Sequence, residues 1–173
     1  LVIDDGSQDR PEQVLPADSR LQLIRQPPQG LVAALENGRE HARGRFLARL
    51  DSDDATLPGR LNAQLCEMER CSDLVAVGGR AAFHPDQRLP PRGMRHYLGW
   101  INALRDPMKE ILVECPLVHP AVLLRAQAVE AVGGYRDCDL PEDYELWLRL
   151  VQAGGVIANL DQELVWIRDH GAR

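Results

Sequence analysis

Short apolar runs alternate with helical patterns along the whole chain. Apolar runs at 1–3, 21–25, 46–50 and 74–77 predict strands, each of which ends in turn-forming residues. Helices are predicted where apolar or small residues recur every three or four positions: 30–44, 58–68, 96–104, 126–132 and 142–151. Further strands are predicted at 121–124, 156–158 and 164–167. Strands that alternate with helices at this spacing are typical of an α/β fold with a mostly parallel sheet.

Glycine and proline residues indicate where one of these predicted strands ends and where a loop lies. The pair Gly78-Gly79 is expected to end the fourth strand, and the proline-rich stretch 84–95 is expected to be a surface loop. The chain has 173 residues without an internal repeat or linker, which predicts a single domain over 1–173. Its first residues, Leu1–Ile3, already form an apolar run. We therefore interpret the chain as incomplete at its N-terminus and also at its C-terminus.

Composition narrows the function classes. The formal net charge is −6 and the basic residues are dispersed, which argues against a nucleic-acid-binding face. No apolar run reaches the roughly 18–20 residues that span a bilayer, so this stretch contains no transmembrane segment. None of the four cysteines forms a Cys-x-x-Cys pair, which favours reduced thiols and a cytoplasmic setting.

Acidic residues follow predicted strands at two points. Asp4 and Asp5 follow the first strand, and Asp51, Asp53 and Asp54 follow the third. Ligands of open α/β sheets bind beyond the carboxyl ends of the strands. Carboxylates grouped there repel one another unless a cation lies between them, and Mg²⁺ or Mn²⁺ with a phosphate fits such oxygen ligands. The alternative is that these residues only cap turns and helices.

A third acidic point begins the helix predicted at 142–151. Glu142 and Asp143 follow Pro141 there, and the helix dipole alone would favour carboxylates in a first turn. His119 and His170 are weaker candidates, since single histidines are more often structural or on the surface.

These segments, taken in order, resemble family 2 glycosyltransferases. The similar segments are 2–7, the helix from Gly30 to Gly44, 50–54, 77–79, 115–120, 133–136 and 142–149. One such motif is weak evidence, whereas an ordered set that covers nearly the whole chain is specific. The resemblance implies a glycosyltransferase-A fold that begins one strand and one helix before Leu1. The missing unit would leave an apolar sheet edge, which predicts self-association.

The resemblance also implies an activity. Such enzymes transfer a sugar from a UDP-, GDP- or dTDP-sugar to a hydroxyl of a glycan or lipid-linked acceptor, usually with inversion. Polysaccharide or cell-envelope glycan synthesis is the usual setting, in the cytoplasm or at the inner face of the membrane.

The resemblance assigns roles to individual residues. Asp143 corresponds to the catalytic base. The residues that correspond to nucleotide or donor contacts are Asp5, Gly30, Asp51 and Asp53. Asp53 and Asp54 correspond to ligands of the divalent metal, Mn²⁺ or Mg²⁺, and the possible donor or acceptor contacts are Glu142, His119 and His170. The chain departs from the pattern at Leu35-Glu36, where many relatives carry Arg-Asn.

Two other functions stay open at this point. A phosphoacceptor receiver domain also binds Mg²⁺ at strand ends, but it needs a lysine on a late strand, and Lys109 is predicted in a helix or loop. A degenerate module that binds nucleotide without transferring sugar is the other alternative.

Overall fold

The computed structural model describes residues 1–169, so the prediction for His170 lies outside the described residues. Its strands are β1 (Val2–Asp4), β2 (Leu23–Arg25), β3 (Phe46–Ala48), β4 (Ala55–Thr56), β5 (Leu74–Phe83), β6 (Leu123–Arg125) and β7 (Val156–Ile167). Its α-helices are α1 (Leu31–His41), α2 (Arg60–Arg70), α3 (Arg92–Ile101), α4 (Pro107–Glu110), α5 (Ala126–Ala131) and α6 (Glu142–Gln152). Short 3₁₀ turns lie at Pro11–Gln13 and His119–Ala121.

The α/β class is confirmed, but the sheet is mixed rather than mostly parallel. Strands β1 and β2 form a separate parallel pair, and the main sheet has the order β3-β6-β5-β7-β4. Only β5 and β7 are parallel within the main sheet, whereas β6 runs antiparallel to both of its neighbours and β4 runs antiparallel to β7. The long excursion through α3 and α4 returns the chain to the sheet from the end at which β5 finishes, so β6 enters in the opposite direction.

The prediction that Gly78-Gly79 ends a strand is wrong, because β5 continues to Phe83. The glycines provide space rather than a stop. A Cβ atom on Gly79 would collide with the side chain of Leu164, and one on Gly78 would meet Asn159. Both neighbours belong to β7. The two closing strands predicted at 156–158 and 164–167 are parts of this one continuous strand. A close approach of side chains from β7 therefore explains the glycines.

The core lies between the sheet and helix α6. Leu146, Trp147 and Leu150 on one face of α6 are almost fully buried and pack against Val122 and Ile157. Spacing of three and four residues along α6 places these side chains on a single stripe. The first turn of α6, with Glu142 and Asp143, is thereby held at a defined position relative to the sheet.

A buried polar pair joins α2 to three other segments. Arg60 is 3% exposed and donates from Nη2 to the carbonyl oxygens of Arg49 and Val122, at 2.7 and 3.2 Å. Its Nε donates to Gln64 Oε1 at 3.1 Å. The amide of Gln64 is fully buried and donates to the carbonyls of Val77 and Ala121. The pair fixes the chain just before the acidic cluster. Burial, together with the charge of Arg49, lowers the pKa of Arg60 to about 10.

Replacing Gln64 with leucine is expected to destabilise the protein by about 2–3 kcal/mol, because buried carbonyls and the Arg60 Nε lose their partner. The melting temperature should fall by about 4–12 °C. Thermal unfolding followed by circular dichroism measures this. The matched control is Gln127→Leu, since Gln127 is exposed on α5. Equal melting temperatures for the two variants would contradict the role of the pair.

A cleft separates the two sheets. Among the described residues β1 pairs only with β2, and β3 pairs only with β6. The cleft between β1 and β3 has a volume of about 300 Å³ and is lined mainly by apolar side chains, among them Leu1, Ile3, Leu47 and Leu124. Because each of these strands pairs on one side only among residues 1–169, each has a backbone edge without a strand partner, which is the type of edge that pairs with another chain.

We expect the 173-residue chain to self-associate through these edges, as measured by light scattering over a range of concentrations. Val2→Lys should reduce the association, because a charge on an edge strand opposes pairing. Val14→Lys is the control, since Val14 is highly exposed and lies outside the strands. A monomer at every concentration would contradict the expectation.

Candidate active site

The acidic cluster after β3 is compact. Asp51, Asp53 and Asp54 each offer a carboxylate oxygen, and these atoms lie within 4.8 Å of one another. All three residues are partly buried. The chain reverses direction here between β3 and β4, and the Asp54 N–H donates to the Asp51 carbonyl at 3.2 Å. The turn therefore gathers carboxylates that are consecutive or nearly consecutive in sequence.

Two contacts orient the cluster, and sequence reasoning missed both. Arg49 Nη1 donates to Asp51 Oδ2 at 2.7 Å, and the guanidinium also forms an ion pair with Asp51 through Nη2. The backbone N–H of Arg168 donates to Asp54 Oδ1 at 2.9 Å, which ties the end of β7 to the cluster. Arg49 lies two residues before Asp51 in the sequence, and this spacing could have indicated the contact between them.

Glu142 and Asp143 form the first turn of α6, where exposed backbone N–H groups favour negative charge. Glu142 Oε1 lies 3.4 Å from Nδ1 of His119. The hydrogen bond from His119 is the main cause that lowers the pKa of Glu142, and the positive charge of Arg49 lowers it further. Arg49 therefore acts on carboxylates of both the strand-end cluster and the helix start.

Asp143 lies beside a partly buried thiol, that of Cys115. Its Oδ1 accepts from the backbone N–H of Tyr144 at 2.7 Å, and its Oδ2 accepts from Cys115 Sγ at 3.6 Å. Burial raises the pKa of the Cys115 thiol, and the negative charge of Asp143 raises it further. Cys115 is thus a neutral donor at neutral pH. All four cysteines are free, as the sequence predicted.

His119 is a buried residue of the core. It is 6% exposed, and its Nε2 lies 3.0 Å from the hydroxyl of Tyr135. Its ring meets Trp147 edge-on, with the centroids 5.8 Å apart. With Nδ1 facing Glu142 and Nε2 facing Tyr135, both ring nitrogens have protein partners. The structure therefore places His119 between Glu142 and Tyr135.

Asp5 joins β1 to the start of α1. Its Oδ1 accepts from Gln26 Nε2 and from the backbone N–H of Gln29, and its Oδ2 accepts from the N–H of Gly30, each at 2.8 Å. These hydrogen bonds, the Gln29 N–H foremost, lower the pKa of Asp5. Gly30 has φ of +92°, a conformation that glycine adopts without steric cost. The structure thus brings these two predicted residues together.

Glu36, at the position where the chain departs from the family pattern, has a structural role. Its carboxylate accepts from the backbone N–H of Tyr135 at 2.5 Å and forms an ion pair with Arg39 at 2.8 Å. It therefore binds the turn after α5, whose Gly134 leaves no room for a Cβ next to this carboxylate.

The family model described as glycosyl transferase family 2 matches residues 1–132, which is more than half of the chain. The chain belongs to this family. The resemblance inferred from the ordered motifs is thereby confirmed.

Curated glycosyltransferases include relatives of this chain. The amylovoran biosynthesis glycosyltransferase AmsE of Erwinia amylovora is 32% identical over 139 residues, which cover 80% of this chain and 50% of AmsE. The chain spans about half the length of the curated relatives that it matches.

Solved glycosyltransferase-A structures share the fold. Residues 1–349 of TarS from S. aureus, in complex with UDP-GlcNAc, superpose with a TM-score of 0.71 at 14% identity, over 99% of this chain and 50% of that one. The mannosyltransferase PcManGT of Pyrobaculum calidifontis, in complex with GDP-Man and Mn²⁺, gives a TM-score of 0.66 at 16% identity, over 92% and 44%. Among residues 1–169, no helix combines the length and apolar character needed to cross a membrane.

Proposed function

We propose that the protein transfers a sugar from a nucleotide sugar to an acceptor hydroxyl with inversion, in polysaccharide or cell-envelope glycan synthesis. Family membership supports the transferase, and the compact cluster of Asp51, Asp53 and Asp54 carries the proposal for the donor site. The similarity to structures that hold UDP-GlcNAc or GDP-Man supports a UDP-, GDP- or dTDP-sugar as donor. The similarity to AmsE, a glycosyltransferase of amylovoran biosynthesis, supports a setting in polysaccharide synthesis, for which we propose a glycan or lipid-linked acceptor.

The donor set of the cluster fits a divalent cation. Several carboxylate oxygens within 4.8 Å of one another are the hard ligands that Mn²⁺ and Mg²⁺ prefer. Asp53 and Asp54 would hold the ion, and Arg49 would orient Asp51 beside them. A bound ion neutralises charge that develops on the diphosphate leaving group. Asp5 and Gly30 complete the proposed donor site, at the end of β1.

Asp143 is the proposed base, because Glu142 is already engaged with His119, whose Nδ1 lies 3.4 Å from Glu142 Oε1. The Asp143 carboxylate would accept the proton of the acceptor hydroxyl as that oxygen attacks the anomeric carbon. The neutral Cys115 thiol and the Tyr144 N–H orient the carboxylate. One base that assists one direct displacement inverts the configuration of the sugar.

The receiver alternative fails, because the chain belongs to a glycosyltransferase family and Lys109 lies in α4, in an ion pair with Asp106. A degenerate module that binds nucleotide without transferring sugar would have the same donor site as the proposed enzyme. A measurement of sugar transfer therefore distinguishes the two hypotheses, whereas a measurement of nucleotide binding does not.

Metal and nucleotide should bind cooperatively. Calorimetry should show tighter binding of Mn²⁺ in the presence of UDP or GDP than in their absence, because phosphate oxygens complete the coordination shell. Nucleosides without phosphates are the control and should leave the affinity for Mn²⁺ unchanged. Equal affinity for Mn²⁺ with and without the diphosphates would count against the site.

A further inference from the structure

Helix α3 presents an unusual surface. Only Leu98 and Ile101 on this helix are buried. The residues Met94, Tyr97 and Trp100, spaced three apart, form one stripe of exposed large apolar side chains, with Tyr97 and Trp100 both more than 40% exposed. The aromatic rings lie 6.0 Å apart. We call this stripe the α3 apolar face. Large apolar groups grouped on a surface mark an interaction site.

Positive charge lies beside this face. Residues 87–104 contain three arginines and no aspartate or glutamate, in a chain with a net charge of −6. Arg88, Arg92 and Arg95 belong to this segment, and none of them forms an ion pair within the described part of the chain. An acidic protein therefore concentrates unneutralised cations next to exposed tyrosine and tryptophan.

We propose that α3 is a peripheral membrane contact, in which the α3 apolar face enters an anionic lipid bilayer and the neighbouring arginines bind the lipid phosphates. A helix with arginine on one side and large apolar side chains on another lies in the plane of the membrane interface. Tyrosine and tryptophan suit this depth, because their rings are amphipathic. Each arginine near an anionic surface adds electrostatic attraction.

The position of α3 relates the proposed membrane contact to the candidate active site. Partial burial of its ring raises the pKa of Tyr97, and the negative charges of Glu114 and Asp143 raise it further, so Tyr97 lies within electrostatic range of the proposed base. Leu112 and Val113, directly before Glu114, are further large apolar side chains that are about four-fifths exposed. If the proposed transfer is correct, a bilayer bound here brings lipid-linked acceptors to the site.

Flotation with vesicles on a density gradient tests the contact, since aggregated protein does not float. We expect the protein to float with vesicles of phosphatidylglycerol and phosphatidylcholine, and much less with phosphatidylcholine alone. Replacing Tyr97 and Trp100 by serine should reduce the partition coefficient at least about tenfold. Arg92→Gln and Arg95→Gln should each reduce it roughly fivefold, an effect that salt diminishes.

Leu61→Ser is the matched control, because Leu61 is about half exposed on α2. It should float like the unchanged protein, and circular dichroism should give the same melting temperature for all variants. Brominated lipids should quench Trp100, the exposed one of the three tryptophans, since Trp147 is fully buried and Trp166 is partly buried on β7. Trp100→Phe should remove most of that quenching while flotation persists.

Asp143→Asn should float normally, which separates this proposal from the proposed reaction. Absence of flotation, or flotation unchanged by the α3 variants, would overturn the membrane contact. A third outcome would also overturn the membrane contact. If the protein forms concentration-dependent dimers without lipid, and Trp100→Ser dissociates them, the α3 apolar face is an interface with a second copy of the chain.

Discussion

Replacing Asp143 with asparagine is expected to lower turnover by about 10²–10⁴-fold, the usual contribution of a general base. Asparagine keeps the size of the side chain and can still accept from the Tyr144 N–H, but it cannot take a proton. Affinity for the donor and for Mn²⁺ should stay nearly unchanged, because the acidic cluster after β3 is untouched. Release of nucleoside diphosphate from the nucleotide sugar measures turnover, and calorimetry measures affinity.

Asp73→Asn is a suitable control for this variant. Asp73 is exposed between α2 and β5, so the same chemical change occurs outside the proposed site. Turnover of this control should match that of the unchanged protein. Asp143→Asn could instead retain near-normal turnover and lose only up to about 1 kcal/mol in the free energy of unfolding. The carboxylate would then only stabilise the start of α6 through the helix dipole, and the assignment of the base would be wrong.

Asp53→Asn is expected to act on the donor side instead. Loss of a charged ligand should weaken Mn²⁺ binding by more than about 100-fold. Substitution of a residue that only hydrogen-bonds to a metal ligand already lowers metal affinity by roughly 10–100-fold. Turnover at limiting metal should fall together with metal-dependent binding of UDP or GDP. Excess Mn²⁺ should restore part of the loss, whereas it should not rescue Asp143→Asn.

Titration of Mn²⁺ against donor binding distinguishes the two variants. Asp73→Asn again serves as the control and should keep the metal affinity of the unchanged protein. An Asp53→Asn variant with unaltered affinity for Mn²⁺ in the presence of UDP would show that the cluster only shapes the turn between β3 and β4. The proposed metal site would then be withdrawn.

The fold class could be predicted because local patterns agree with it. The helix predicted at 142–151 and the helix observed at Glu142–Gln152 nearly coincide, since apolar spacing and a preceding proline mark both its face and its start. Helix α1 begins and ends close to its flanking glycines for the same reason. Such signals depend on neighbouring residues only, so they can be read from the chain.

Strand direction and strand length could not be predicted from local signals. Gly78 and Gly79 resemble a stop, yet they lie inside β5 because side chains of β7 occupy the space above them. Short elements were also missed: β4 has two residues and α4 has four, too few for a period to be recognised. The arrangement of β6 between β3 and β5 depends on a long excursion whose path no local pattern describes.

The sequence by itself determined the family and the α/β class, and it predicted the acidic residues of the candidate site, because these depend on residue types at fixed spacings. The tertiary structure alone decided the surroundings of those residues. Arg49 reaches Asp51 and acts on Glu142, and His119 is buried behind Glu142 rather than open to a ligand. Arg49 and Asp51 are close in the chain, but the interactions of Arg49 and His119 with Glu142 join segments far apart, so only the packing of α6 against the mixed sheet creates them.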